Sequence, residues 1–361
     1  MSKHRLYFID AVRAFAILMM LQGHFIDTFL DASYKDYSNI SFKIWNYFRG
    51  ITAPIFFTIS GLIFSYLLIT AKHKGILKKR ISKGLIRGLL LIGIGYILRI
   101  PISIIFTGEF HNYYFVVDVL QSIGLSIICI VFFYKITFKK TLIFSLLMLI
   151  IGVSIFVTEP LYRTINTENL PLFFSNYITQ KNGSVFTFLP WFGYMAFGAF
   201  ISTIFYRYLK YEKFKIYTVI GFLITGVILI NFSSLILMKL FFLTDIQIFN
   251  SSANYNYLFT RLGNVLIILA LFYSFERFLK FPLILKIGQK TLSIYVIHFI
   301  IIYGSFTGYG LNKIISKTLT PWQAIISAII FLITVCFISF YYVKTNAFIY
   351  SKLREIKANK S

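Results

Sequence analysis

Residues Tyr7 to Leu30 read YFIDAVRAFAILMMLQGHFIDTFL, and this stretch decides the fold. It is long and apolar enough to cross a bilayer as a helix, yet it carries Asp10, Arg13, His24 and Asp27. At about 100° per residue, these four positions fall within an arc of roughly 100° and share one face of the helix. Ionisable groups in a bilayer normally face a bundle interior or a watery cavity and mark function. We therefore expect this face to point inward.

The polar face of this helix has two interpretations. Arg13 and His24 are separated by about three turns, or roughly 16 Å along the axis. In the purely structural interpretation, Asp10 pairs with Arg13 and Asp27 pairs with His24, which gives a buried ladder of ion pairs. That alternative is strong for Asp10, whereas for His24 we favour a functional role.

The composition indicates an all-α, polytopic membrane protein. The chain has 361 residues, of which 58% are hydrophobic and 19% aromatic, and its mean hydropathy is +0.78. No linker or low-complexity tract divides it, so we expect a single membrane-embedded domain over residues 1–361. The apolar segments predict ten spans, at 7–29, 46–70, 88–107, 115–134, 141–158, 185–206, 216–242, 257–274, 291–310 and 321–343.

The charge distribution predicts the topology. The formal net charge is +24, and most of the 36 Lys and Arg residues lie in the tails and in alternate short loops, such as 71–87. This asymmetry favours two cytoplasmic termini and contact of the basic loops with anionic lipid in a cell inner (plasma) membrane, and it makes nucleic acid an unlikely partner. The high content of Lys, Ile, Phe and Asn favours a bacterial source. No metal-ligand cluster occurs, so we expect no metal.

Several polar residues fall in the outer third of their predicted spans, which indicates a chamber that opens away from the cytoplasm. They are His24, Asp27, Arg49, Asp118, Gln121, Arg261 and Asn264.

Each of the other candidates also has a structural interpretation. Arg49 can simply extend to the interface, as Arg at a helix end usually does. Asp118 is a plausible partner for Arg49 or for Arg99 in the third span, and this structural role is slightly favoured over a chemical one. His298, about two turns into the ninth span, is more often a packing residue than a catalyst.

The run IDAVRAFAILMMLQGH, with Arg13 and His24 in an R-x10-H pattern, resembles the first helix of the membrane-bound acyltransferase superfamily. This group includes the acyltransferase-3 family and the heparan-alpha-glucosaminide N-acetyltransferase-like bacterial proteins. The stretches FRGITAPIFFTISGLIF, DVLQSIG, LPWFGYMAFGAF and GQKTLSIYVIH are also similar, and they follow in the right order from the second span to the ninth. The DVLQ and LPW stretches lean toward the heparan-acetyltransferase-like branch.

The resemblance implies about ten helices around a polar cavity, with acyl-CoA (acetyl-CoA) as the cytoplasmic co-substrate. The acceptor would be a hydroxyl or amine of a carbohydrate or glycolipid on the other side. His24 would act at the acyl-transfer centre, while Arg13 and Arg49 would bind or orient the charged donor.

The residues fit this chemistry in more than one way. An imidazole suits the removal of a proton from the acceptor, and Asp27, one turn away, is a candidate to orient His24. Arg49 or Asn264 is a candidate to stabilise the oxyanion, and Asp118 and Arg261 are candidates to bind the donor or the acceptor. Both direct transfer and a transient acyl-histidine stay open.

Two other functions compete with the enzyme. A transporter or lipid flippase would also place polar groups in the membrane. It predicts an internal repeat and broken helices that meet at the bilayer midplane, and the second half has no clear copy of R-x10-H. A non-catalytic scaffold leaves the polar face of the first helix unexplained.

Overall fold

The computed structural model of the chain describes residues 6–102, 108 and 111–358, with side chains up to residue 341. These residues form α-helices joined by short turns, and β-structure among them is limited to one isolated bridge between Leu30 and Leu319. In chain order the helices are α1 (Tyr7–Phe29), α2 (Ile40–His73), α3 (Leu77–Ile97), α4 (Val119–Ile136), α5 (Thr141–Val157), α6 (Glu159–Arg163), α7 (Leu172–Ile178), α8 (Phe188–Tyr208), α9 (Phe214–Asn231), α10 (Ser233–Thr244), α11 (Gln247–Asn254), α12 (Tyr257–Ser274), α13 (Pro282–Gln289), α14 (Thr291–Tyr303), α15 (Leu311–Ile314) and α16 (Pro321–Ala358).

The prediction of an all-α, polytopic membrane protein is confirmed. Within the described ranges, seven helices are long and apolar enough to cross a membrane, and the bent pair α13 and α14 would make an eighth span. The two members of that pair meet at an angle of 71°. The count of ten spans, the polar cavity at their centre, the cytoplasmic termini and the single domain over residues 1–361 stay predictions.

The third predicted span begins earlier than the hydropathy pattern indicates. The chain turns at Gly75, whose φ is +69°, and α3 then runs from Leu77 to Ile97, so most of the basic loop at 71–87 is helical. Lys and Arg are good helix formers, and their long side chains can reach water from the end of a span. Arg99 lies in the turn after α3 rather than inside a helix. Residues 103–107, the end of the predicted span, lie outside the described residues.

Two other predicted spans are interrupted. The segment 216–242 is divided at Phe232 into α9 and α10. The segment 291–310 stops being α-helical at Tyr303, because Gly304 adopts the left-handed conformation (φ +79°) that commonly ends a helix. The hydropathy pattern identifies both segments as apolar, but it does not show where the helix is interrupted.

The chain divides into two compact units, and the first comprises Met1–Thr52 and Leu279–Ser361. Its centre is α1, whose side chains Phe8, Val12 and Leu21 are fully buried. On one side, the Cα of Gly288 in α13 comes so close to α1 that a Cβ there would lie 2.0 Å from the carbonyl oxygen of Asp10. Only glycine allows this approach.

The start of α16 is tied to the end of α1. The amide of Asp31 donates to the carbonyl of Leu319 at 3.0 Å, and the amide of Leu319 donates to the carbonyl of Phe29 at 3.0 Å. Further along, the rings of Phe25 in α1 and Phe331 in α16 lie 5.1 Å apart between their centroids. These contacts hold α1 in place along its length.

The second unit, Ala53–Phe278, is held by close contacts at glycine. A Cβ on Gly198 of α8 would lie 1.9 Å from the carbonyl oxygen of Thr58 in α2, and one on Gly61 would lie 2.1 Å from the carbonyl oxygen of Met195. Helices in membranes gain much of their association energy from such close backbone packing at small residues. The quoted stretches FRGITAPIFFTISGLIF and LPWFGYMAFGAF therefore pack directly against each other through their glycines.

Two other helix pairs of this unit use reciprocal glycines. Gly88 in α3 faces Gly124 in α4, and Gly226 in α9 faces Gly263 in α12. In each pair, a Cβ on either glycine would lie 2.5 to 2.9 Å from the carbonyl oxygen of the other. Gly124 belongs to the quoted DVLQSIG stretch, so its small residue also serves helix packing.

Candidate functional site

The candidate site in the first unit is built by α1 and α14, which run in the same direction. Near the start of both helices, Nη2 of Arg13 donates a hydrogen bond of 2.7 Å to Oγ1 of Thr291. Two turns after Thr291, the ring of His298 lies 5.4 Å from the ring of His24 between centroids. Both residues of the R-x10-H pattern, Arg13 and His24, therefore lie next to residues of the GQKTLSIYVIH stretch.

His24 is partly exposed, and its ring is oriented by a tyrosine. The hydroxyl of Tyr303 lies 3.3 Å from Nδ1 of His24, and the two rings meet edge to face at 88°. A hydroxyl can donate to an imidazole nitrogen or accept from it, so this contact is compatible with either tautomer of the ring. Tyr303 thus contacts the Nδ1 side of His24.

His298 lies beneath His24 and is fully buried. Within the described part of the chain, neither of its ring nitrogens has a hydrogen-bond partner of good geometry. Its ring also contacts Tyr295, with 4.9 Å between centroids. This position fits the structural interpretation of His298, in which its ring packs against the ring of His24.

Arg13 is held at the other end of the same helix face. Besides Thr291, its Nη1 lies 3.9 Å from Oδ1 of Asp10. The Arg13 and Asp10 side chains are 22% and 13% exposed, so this group is largely removed from solvent. The predicted pairing of Asp10 with Arg13 is confirmed, and the Thr291 hydroxyl adds a neutral hydrogen-bond partner for the cation.

Asp27 is bound by two cations rather than by His24. Its Oδ2 accepts from Nη2 of Arg49 at 2.7 Å, and its Oδ1 lies 3.4 Å from Nζ of Lys35. Lys35 also donates to the Asp27 backbone carbonyl at 2.7 Å. The predicted pairing of Asp27 with His24 is therefore wrong. Two nearby cations are stronger partners for a carboxylate than a neutral imidazole, and Tyr303 takes the ring nitrogen instead.

Arg49 reaches Asp27 by crossing α1 at a glycine. A Cβ on Gly23 would lie 3.4 Å from Cγ of Arg49, so the side chain of Arg49 packs against α1 at this glycine. Arg49 also lies over the ring of Trp45, with 5.7 Å from Cζ to the centroid. Arg49 and His24 were both predicted to lie in the outer third of their spans. In the structure, Arg49 contacts α1 at Gly23, the residue before His24.

In the second unit, Asp118 and Gln121 form the start of α4. The Asp118 side chain caps the helix and accepts from the amide of Val119 at 2.8 Å, while Oε1 of Gln121 accepts from the Asp118 amide at 3.2 Å. Asp118 also accepts from Nη2 of Arg99 at 2.7 Å. The predicted Arg99 and Asp118 pair is thus confirmed, and the DVLQ stretch is a capping box. Its role in substrate binding stays a prediction.

Arg261 and Asn264 lie on α12 of the same unit. The guanidinium of Arg261 lies over the ring of Tyr257, with 5.1 Å from Cζ to the centroid, and the Asn264 side chain is buried. Near them, the hydroxyl of the buried Tyr194 donates to the carbonyl of Leu258 at 3.2 Å. The predicted binding or oxyanion roles of Arg261 and Asn264 stay predictions.

Sequence reasoning missed Thr291, Tyr303 and Lys35. Thr291 and His298 are two turns apart, which is the spacing that places them on one helix face, so their alignment could have been recognised. Tyr303 comes near His24 only through the parallel packing of α1 and α14, for which the sequence carries no local signal. For Asp118 and Gln121, the D-x-x-Q spacing before an apolar run was a recognisable capping signal.

A family model described as heparan-alpha-glucosaminide N-acetyltransferase, catalytic, matches residues 5–250, which is more than half of the chain. The chain belongs to this family. The match contains Arg13, His24 and Arg49 but ends before α13 and α14, so the pairing of α1 with α14 is additional information from the structure. None of the curated proteins compared with the chain matches it.

Family membership confirms the suspected resemblance to the heparan-alpha-glucosaminide N-acetyltransferase-like proteins, and the matched range includes the R-x10-H helix. Together with its membrane-spanning helices, it makes the chain a multi-pass membrane protein of an acetyltransferase family. Members of this family use acetyl-CoA as the acetyl donor. In the part of the chain that the structure describes, no group of three or more His, Cys, Asp or Glu side chains could hold a metal ion.

The contact between Arg13 and Thr291 leads to a stability prediction. Thr291→Val keeps the shape of the side chain but leaves a partly buried guanidinium without its hydroxyl acceptor, and a hydrogen bond to a charged group contributes about 1.5–3 kcal/mol. We expect a lower thermal unfolding temperature in detergent for Thr291→Val and a nearly unchanged one for Thr291→Ser. Equal unfolding temperatures for wild type and Thr291→Val would show that this hydrogen bond does not stabilise the unit.

Proposed function

We propose that this protein transfers an acetyl group from acetyl-CoA, bound from the cytoplasm, to a hydroxyl or amine of a carbohydrate or glycoconjugate on the opposite side of the membrane. The observation that carries the proposal is the partly exposed His24 ring, in contact with Tyr303, on the R-x10-H helix within the family match. The family supports the reaction class, and the predicted topology supports the sides of donor and acceptor. An inner (plasma) membrane location follows from the same topology.

In the proposed reaction, Nε2 of His24 removes the proton from the acceptor O–H or N–H. The acceptor atom attacks the thioester carbonyl carbon, a new C–O or C–N bond forms, and the C–S bond breaks. The leaving thiolate of coenzyme A takes the proton back from the imidazolium, so the enzyme returns to its starting state. General base catalysis of this kind contributes typically about 10²–10⁴-fold in rate.

The contact with Tyr303 is compatible with the tautomer that this role requires. For Nε2 to accept a proton, the neutral ring must carry its hydrogen on Nδ1, and Nδ1–H then donates to the Tyr303 oxygen 3.3 Å away. The same contact stabilises the imidazolium once it forms. Asp27, which sequence reasoning placed in this role, acts instead on Arg49 and Lys35.

The cations near Asp27 supply positive charge beside His24. Arg49 and Lys35 together carry two positive charges against the single carboxylate of Asp27, and the Arg49 stem passes Gly23, the neighbour of His24. We assign Arg49 to orientation of an anionic part of a substrate or to the oxyanion that develops at the carbonyl. Arg13, about three turns away on the same helix, is assigned to the donor side.

The reaction can be tested in sealed inside-out vesicles that expose the cytoplasmic face. With isotope-labelled acetyl-CoA outside, vesicles containing the protein should transfer label to a carbohydrate or glycolipid in the lumen, which mass spectrometry would identify. Vesicles without the protein are the control. If properly inserted protein transferred no label from acetyl-CoA or a longer acyl-CoA, the proposal would be wrong and a transporter function would take its place.

The tautomer argument predicts the effect of Tyr303→Phe. Loss of the hydroxyl removes one hydrogen bond to His24, which corresponds to about a tenfold fall in kcat/KM, while KM for acetyl-CoA should stay unchanged. Tyr309→Phe is a matched control, because Tyr309 is 80% exposed in the following loop. If both variants kept wild-type kcat/KM, Tyr303 would have no role in orienting the base.

A further inference from the structure

A large apolar groove lies in the second unit, apart from the candidate site. It is formed by α5, α8, α9 and α12, and it encloses about 1050 Å³. Its walls are almost entirely hydrophobic, with Leu149, Phe197, Phe222 and Leu262 contributed by the four helices in turn. A groove of this composition between membrane helices suits a hydrocarbon chain.

One end of the groove is polar and basic. It is lined there by Tyr208, Tyr211, Glu212 and Lys213, in the turn that joins α8 to α9. Within the described residues, the ammonium of Lys213 forms no ion pair or hydrogen bond, and its side chain is exposed. The surrounding turn, 207–215, reads RYLKYEKFK, in which Glu212 is the one acidic residue against four Lys and Arg. An anionic group at this end would therefore meet uncompensated positive charge.

The groove has the length of a lipid chain. From Lys213 to Leu229, its lining follows α9 for about 24 Å at 1.5 Å per residue. One leaflet of a bilayer core is about 15 Å thick, half of the roughly 30 Å hydrocarbon region. An acyl chain whose headgroup lies at Lys213 can therefore remain in the groove over its whole length.

We infer that this groove is a binding site for an anionic phospholipid. Its phosphate lies at Lys213 and the two tyrosines at the basic end, and one acyl chain follows α9 between α8 and α12. The positive charge distinguishes the site from a simple lipid-facing surface, which has no preference among headgroups. A neutral lipid or a second copy of this chain would not use the charge at Lys213.

Glycine offers a way to block the groove without disturbing its walls. A Cβ on Gly221, which lines the groove, would meet no atom within 4 Å, so Gly221→Phe places its ring in the space assigned to the acyl chain. Gly93 in α3 is a matched control, because its Cβ would also meet nothing within 4 Å and it does not line this groove. Lys213→Ala tests the headgroup, and Lys213→Arg keeps its charge.

The experiment is native mass spectrometry of the purified full chain after incubation with equimolar phosphatidylglycerol and phosphatidylethanolamine. We expect the wild type, Gly93→Phe and Lys213→Arg to retain phosphatidylglycerol preferentially. Lys213→Ala should lower the ratio of bound phosphatidylglycerol to phosphatidylethanolamine by about fivefold, and Gly221→Phe should lower the bound amount of both. Equal binding of the two lipids to the wild type, lipid retention unaffected by Gly221→Phe, or a dimer that forms only when the groove is open would each overturn the proposal.

Discussion

The charge of Arg13 is the constraint on which the first unit depends. A guanidinium cannot lose its proton in a protein, and within an apolar helix it must find hydrogen-bond partners inside the protein. Thr291 on α14 accepts one of its hydrogen bonds, and the carboxylate of Asp10 on the same helix lies within ion-pair distance. Because Gly288 allows α13 to approach the Asp10 backbone, α14 starts beside Arg13. From that starting point, the two parallel helices bring His298 and Tyr303 to His24.

In the second unit, a different kind of contact holds the membrane helices together. Its helices approach one another closely at glycines, and a close ion pair between Arg99 and Asp118 serves the start of α4. The family-like stretches thus divide by role: two of them meet at Gly61 and Gly198, one begins a helix, and the R-x10-H helix meets GQKTLSIYVIH at Arg13 and His24.

The helical fold could be predicted, and His24 could be identified as a candidate, because both depend on local patterns in the sequence. Apolar runs give the helices, and a polar face on one helix identifies an inward side. Partners at long range were harder to predict. Asp27 and His24 are three residues apart, which favours pairing, but Lys35 and Arg49 arrive from the following turn and from α2 and bind the carboxylate instead. Tyr303 depends on the packing of α14 against α1, which is a tertiary contact that no sequence period reveals.

The most direct test of the account is the rate of acetyl transfer from acetyl-CoA by purified His24→Ala, measured beside wild type and His111→Ala. His111 is an exposed histidine that precedes α4, so its replacement controls for loss of an imidazole elsewhere in the chain. The account predicts that His24→Ala loses about 10²–10⁴-fold in rate, with an unchanged unfolding temperature, and that His111→Ala keeps wild-type activity. Wild-type transfer by a folded His24→Ala protein would contradict the assignment of His24 as the base.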